Sequence, residues 1–170
     1  KMVLKHKKLI TKNIIFGFDE FINLKGFKYN DFLVVHIRRS DFLNVNRYKE
    51  LNYDDQIWLK SILRISKLQN LKKVAIFSDS IIDNFFISYL EMNGIEVILP
   101  EDENQDINFL KLFSSYIFNC SAVLCNASSL VLSIAFLSHE YIYLPSRKNI
   151  LNKVVLNDAH NSYPTNLNWN

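Results

Sequence analysis

The stretch "VVHIRRSDF", Val34 to Phe42, carries an apolar run that ends in His36 straight into Arg38, Arg39 and Asp41. Two guanidiniums side by side offer planar, forked donors that match the oxygens of a phosphate group. The same residues also suit an Arg39–Asp41 surface pair, worth under about 1 kcal/mol when exposed. Charge and position alone leave both readings open. A lone histidine such as His36 reads first as a buried and satisfied ring. A second cluster, "CNASSL", sets Asn126, Ser128 and Ser129 ahead of an apolar helical segment. There, hydroxyls and free backbone N–H groups would meet at a positive helix end, a suitable cradle for an anion. A plain N-cap would use one of the three and need no ligand. Two further turns carry polar groups, "SDS" at Ser78, Asp79 and Ser80 and "PEDENQD" from Pro100 to Asp106.

Several chemistries are excluded by residue type and spacing. The chain has three glycines, Gly17, Gly26 and Gly94, so it holds neither a P-loop nor a GxGxxG dinucleotide fingerprint. A phosphate would therefore be held by side chains and helix ends. No GxSxG elbow occurs, and His139-Glu140 lacks the second histidine of a zinc-protease helix. "FSDS" lacks the paired aspartates of a metal-bound phosphotransfer site. Four scattered histidines and the two cysteines, Cys120 and Cys125, form no zinc pattern. The sequons "NCS" and "NAS" fall in segments expected to be buried and read as accidental.

The elements that would position these groups follow from periodicity. Five short apolar runs read as buried strands: "FLVVHI" (32–37), "VAIF" (74–77), "EVILP" (96–100), "AVLC" (122–125) and "YIYLP" (141–145). Helical spacing fills the intervals. In "DDQIWLKSILRISKL", Ile57, Leu59, Ile62, Leu63, Ile65 and Leu68 largely share a face, with Asn52 or Asp54 as N-cap. "IIDNFFISYLEMNG" closes on Gly94, the residue type that accepts the left-handed conformation past a helix end. "QDINFLKLFSSYIFN" and "SSLVLSIAFL" complete the alternation. A β-α series with nearly all-apolar strands predicts a three-layer α/β/α, Rossmann-like domain around a mostly parallel sheet of about five strands. In such a sheet ligands bind at the carboxyl edge, which is where every polar turn above falls.

The chain of 170 residues is 49% apolar and 22% charged, globular usage with room for one core. It reads as a single domain, with 1–30 as a weakly patterned lead-in and 146–170 as an irregular tail. A net charge of +3 is too small for a dedicated nucleic-acid binder. The two cysteines lie in apolar stretches and read as reduced core thiols, which places the protein in the cytoplasm. The longest apolar run, "SLVLSIAFL", is about half of a ~20-residue membrane span. The basic N-terminus is able to touch an anionic membrane surface, although a solvated chain end is the simpler reading.

Taken together, "VVHIRRSDFL", "FSDS" and "DINFL…AVLCNASSLVLSIAFLSHEYIYLP" resemble the C-terminal half of the inverting fucosyltransferases of the α-1,2 and α-1,6 groups. That superfamily includes the protein O-fucosyltransferases. Its members have a GT-B fold, with an H-x-R-R-x-D motif after one strand, a [ST]D turn after the next and an N/T-x-S-S turn opening a later helix. The likeness spans roughly positions 31 to 146. It implies that Arg38 holds the β-phosphate of GDP-fucose and stabilises the leaving GDP. By the same likeness His36 lies near guanine and ribose, and Arg39 supports the site through a carboxylate such as Asp41. Asp79 belongs to the [ST]D turn, Asp106 reads guanine, and Asn126, Ser128 and Ser129 form the phosphate-contacting turn. No metal or other cofactor is expected.

The chain departs from the family in three places. The acidic residue read as general base in the α-1,6 group is replaced by the neighbourhood "LNVNR", leaving Asp41, Glu50 and Asp54 as the nearest carboxylates and Asp41 as the closest in position. The segment from Asp106 to "CNASS" is roughly seven residues longer than the family pattern, about two helical turns. Val131 and Leu132 stand where α-1,2 enzymes have tryptophans. The expected activity is transfer of fucose from GDP-fucose to a hydroxyl of a glycan acceptor with inversion. The chain would then supply the donor-binding half and need either an N-terminal acceptor domain or a second copy of itself. The alternative is a non-catalytic nucleotide-binding or assembly module derived from such an enzyme.

Overall fold

The computed structural model describes residues 31–39, 53–100, 108–126, 128–139, 141–147 and 152–155. Asp41, Glu50 and Asp106 lie outside them, as do the lead-in and most of the tail. Along the chain run β1 (Phe32–Ile37), α1 (Asp55–Gln69), β2 (Lys73–Ser78), α2 (Asn84–Met92) and β3 (Glu96–Ile98). Then follow α3 (Phe109–Asn119), β4 (Ala122–Cys125), α4 (Ser129–Ser138), β5 (Tyr141–Leu144) and β6 (Asn152–Val155).

The strands form one open sheet in the order β3-β2-β1-β4-β5-β6. The first five are parallel, as their apolar sequences predict, and β6 pairs antiparallel with β5. The tail therefore differs from the expectation of an irregular segment over 146–170, because residues 152–155 close the sheet edge.

Alternation along β1 sets the layers. Leu33, Val35 and Ile37 enter one core with Trp58, Leu59, Ile62 and Ile65 of α1 and Phe86 and Leu90 of α2. Phe32 and Val34 enter the other, with Leu112, Phe113, Tyr116 and Ile117 of α3 and Val131 and Ala135 of α4. A strand buried on both faces needs apolar residues at every position, which is why "FLVVHI" runs without a period of two.

Helix ends follow local chemistry. Asp54 caps α1 by accepting the Ile57 N–H at 2.9 Å, and Asp83 and Asn108 cap α2 and α3 in the same way. Asn70 ends α1 with φ 54°, and Gly94 follows α2 with φ 76°. Among the described residues no helix is long and apolar enough to cross a membrane.

Candidate functional site

Because β2 and β3 extend the sheet to one side of β1 and β4 and β5 to the other, the strand order reverses between β1 and β4. Helices leaving these strands pack on opposite faces, so their loops diverge and open a crevice at the carboxyl edge. The β1 exit, Arg38 and Arg39, and the β4 exit, with Asn126, Ser128 and Ser129, flank that point. The sequence-predicted groups 88 residues apart are thus brought together.

The β1 exit is held on three sides. Asn126, 1% exposed, accepts the Arg38 N–H through Oδ1 at 3.2 Å and donates from Nδ2 to the Arg38 carbonyl at 2.6 Å. Asp79, at the end of β2, accepts the Arg39 N–H at 2.7 Å, and its own N–H donates to the Ile37 carbonyl at 3.3 Å. The Arg39 guanidinium pairs with Asp55 in the first turn of α1. The described carboxylate partner of the Arg39 guanidinium is Asp55, whereas Asp41, the partner expected from the sequence, lies outside the described residues. Nothing in the spacing of "HIRRSD" points to Asp55, since that pairing depends on where α1 starts relative to β1.

His36 is buried at the last rung that β1 shares with β4, with no hydrogen-bond partner at Nδ1. Burial pushes its pKa down to about 4; the Arg38 charge acts in the same direction and Asp79 opposes it. The ring is neutral at pH 7 and is not the satisfied histidine that a lone apolar-run residue suggests. Its neighbour is Phe113, with ring centroids 5.2 Å apart. Phe109, which is 42% exposed, stacks on Phe113 at 5.4 Å and 14°. Phe77 meets both edge-on. Phe77 of β2 and Phe113 of α3 are fully buried, and Phe109 carries the same aromatic wall out to the surface.

Across the crevice, Ser128 is the N-cap of α4. This residue is buried and extended, and its side chain makes no capping hydrogen bond. Its carbonyl accepts the Leu132 N–H at 3.0 Å. The amides of the first turn ahead of Leu132 have no partner within the helix. No acidic side chain occupies that turn, so the positive helix end is not offset. Ser129 is exposed beside it. A further cation stands at the same edge, Arg147 after β5, with its guanidinium 5.7 Å from the Tyr53 ring centroid. Burial raises the Tyr53 pKa and Arg147 partly opposes that shift. Of the proposed base candidates, Asp54 is used as the α1 cap.

No family model matches the chain, and no curated protein matches it. Solved structures do. The protein O-fucosyltransferase POFUT1 in complex with GDP-fucose aligns with a TM-score of 0.56 at 16% identity, over 74% of this chain and 42% of that one. POFUT1 in complex with GDP gives 0.55 at 16% identity, over 76% and 43%, and its apo form 0.54 at 16%, over 74% and 42%. The chain thus spans less than half the length of these structures. At this identity the likeness is one of fold: an open, Rossmann-like α/β sheet of the kind found in a fucosyltransferase.

Proposed function

We propose that the chain is the donor-binding half of a glycosyltransferase that uses a GDP-sugar, GDP-fucose in the first place, and transfers the sugar with inversion. The observation that carries this reading is that Asn126 joins the Arg38 backbone to the β4 exit, two residues ahead of the α4 cap, at the reversal of strand order and beside a helix N-terminus with no acidic side chain in its first turn. A pyrophosphate there would take charge-assisted hydrogen bonds from the guanidinium and backbone N–H bonds from the helix end. The exposed ring of Phe109, backed by the buried Phe113 and the neutral His36, would supply an apolar flank for the base and ribose. The solved structures of the same fold bind GDP and GDP-fucose, which agrees with that division.

In the reaction, an acceptor hydroxyl loses its proton to a base and its oxygen bonds to the anomeric carbon. The bond from that carbon to the β-phosphate oxygen breaks, and its electron pair leaves with GDP. Arg38 and the α4 amides would stabilise the charge that gathers on the departing oxygens.

A second reading, a nucleotide-binding module without transferase activity, draws on one observation. The described carboxylates at the β1 exit are engaged: Asp55 and Asp79 on Arg39, and Asp54 on its helix.

Thermal melting with GDP, UDP and GDP-fucose tests the site. GDP and GDP-fucose are expected to raise Tm by mass action, with about 2.7 kcal/mol of added stability at a hundred times Kd. Arg38→Ala is expected to weaken GDP binding by about 10- to 100-fold, the value of a charge-assisted hydrogen bond. No shift with any nucleotide would sink both readings, and GDP binding indifferent to Arg38→Ala would sink the role of that arginine. Hydrolysis or transfer of the donor sugar separates the enzyme from the inert module.

A further inference from the structure

We infer that Asn126 is the positioning residue of this site, fixing Arg38 relative to the start of α4 by replacing a rung of the sheet that β4 cannot supply. The inference rests on the nucleotide-binding reading above. The β1–β2 ladder runs to Ile37↔Ser78, whereas the β1–β4 ladder stops one rung earlier at His36↔Cys125. It stops because the chain has to leave the sheet within three residues to enter α4 at Ser128. Arg38 follows the end of β1 and lies beyond the last rung shared with β4.

A side-chain amide carries the same donor and acceptor as a peptide group. Asn126 presents both to one residue, accepting the Arg38 N–H and donating to the Arg38 carbonyl. Two bonds on either side of one Cα hold the backbone of Arg38 against both rotation and translation. Asn126 is also two residues from the α4 cap, so one side chain sets the distance between the cation and the helix end. On the far side, Asp79 holds Arg39 and the Ile37 carbonyl. The amide acts through Arg38, and its own contact with the nucleotide is not required.

A double-mutant cycle on GDP affinity tests this. Asn126→Ala is expected to weaken GDP binding about tenfold or more, while Asn126→Ala combined with Arg38→Ala binds within about twofold of Arg38→Ala alone. Losses that multiply would overturn the inference, because a direct ligand contact or a general loss of structure is independent of Arg38. Asn126→Asp gives a second readout. A carboxylate cannot donate to the Arg38 carbonyl, but its protonated form can, and burial beside a carbonyl raises its pKa. Its GDP affinity, taken relative to wild type, is expected to recover as pH falls from about 7.5 to about 5.5; a flat ratio near one would overturn the inference. If the unmodified protein binds no nucleotide, the donor-site reading fails by itself. The anchoring is then read from amide exchange: Asn126→Ala should speed exchange at Arg38 by a larger factor than at Val35, which reports global stability, and an unchanged Arg38 amide would overturn it.

Discussion

His36 shows how one residue acquires its chemistry from depth rather than type. The sequence gives an imidazole at the end of an apolar run, and its burial was legible there. What spacing could not convey is that Nδ1 would lack a partner, because that depends on Phe113 of α3 covering the ring. With a pKa near 6.5 unfolded and about 4 folded, the unfolded chain binds more protons between those values. Stability is therefore complete above about pH 6.5 and falls as pH drops toward 4. Between pH 7 and pH 5 this residue alone is expected to remove about 1–2 kcal/mol. His36→Phe keeps an apolar ring without a titrating group, so its loss over the same interval should be smaller by that amount. Urea midpoints at the two pH values check it; equal losses in both proteins would show that the ring is not held neutral by the fold.

Elements were the most legible scale where local signals agree. The run "FLVVHI" matches β1 residue for residue, Asp54 caps α1, and Gly94 follows α2 in the left-handed region. The Gly94 N–H donates to the Glu91 carbonyl and the Ile95 N–H to the Leu90 carbonyl, closing the helix end. A Cβ added at Gly94 meets nothing within 4 Å. The cost of Gly94→Ala is then purely that of the backbone conformation, about 1–2 kcal/mol. Gly94→Asn, a residue that tolerates this region and already ends α1 at Asn70, should cost less than the alanine variant. Chemical denaturation of the two variants decides between a backbone and a packing origin, since a packing clash would make the larger asparagine worse. The strand that escaped the sequence reading, β6, shows the limit of such signals. "NKVV" has neither a long apolar run nor a clean alternation, and it is a strand because β5 offers an unpaired edge to it.

For the whole molecule, strand order decides what the site is, and strand order is not written in any one segment. Apolar runs and helical spacing predicted a parallel sheet with ligands at its carboxyl edge. They did not say that β1 and β4 are neighbours, which brings "HIRR" and "CNASS" onto one crevice, nor that Asn126 joins them. A general base for the proposed transfer follows neither from the motif spacing nor from the described carboxylates at the β1 exit, Asp54, Asp55 and Asp79, which serve a helix cap and Arg39. The arrangement has a consequence for coupling across the molecule. β1 is buried along its length between β2 and β4, so its central amides should exchange with solvent last, through global unfolding. The amides of Arg38, of Ser129 and of Leu130 sit at the crevice and should exchange through local opening. GDP bound between the two exits is expected to slow exchange at both clusters together, while β6 and the end of α1 at Asn70 change only as far as global stability does. Hydrogen exchange with and without GDP measures this directly. Protection of the α4 amides without Arg38, or of neither cluster despite a raised Tm, would place the nucleotide somewhere other than the point where the strand order reverses.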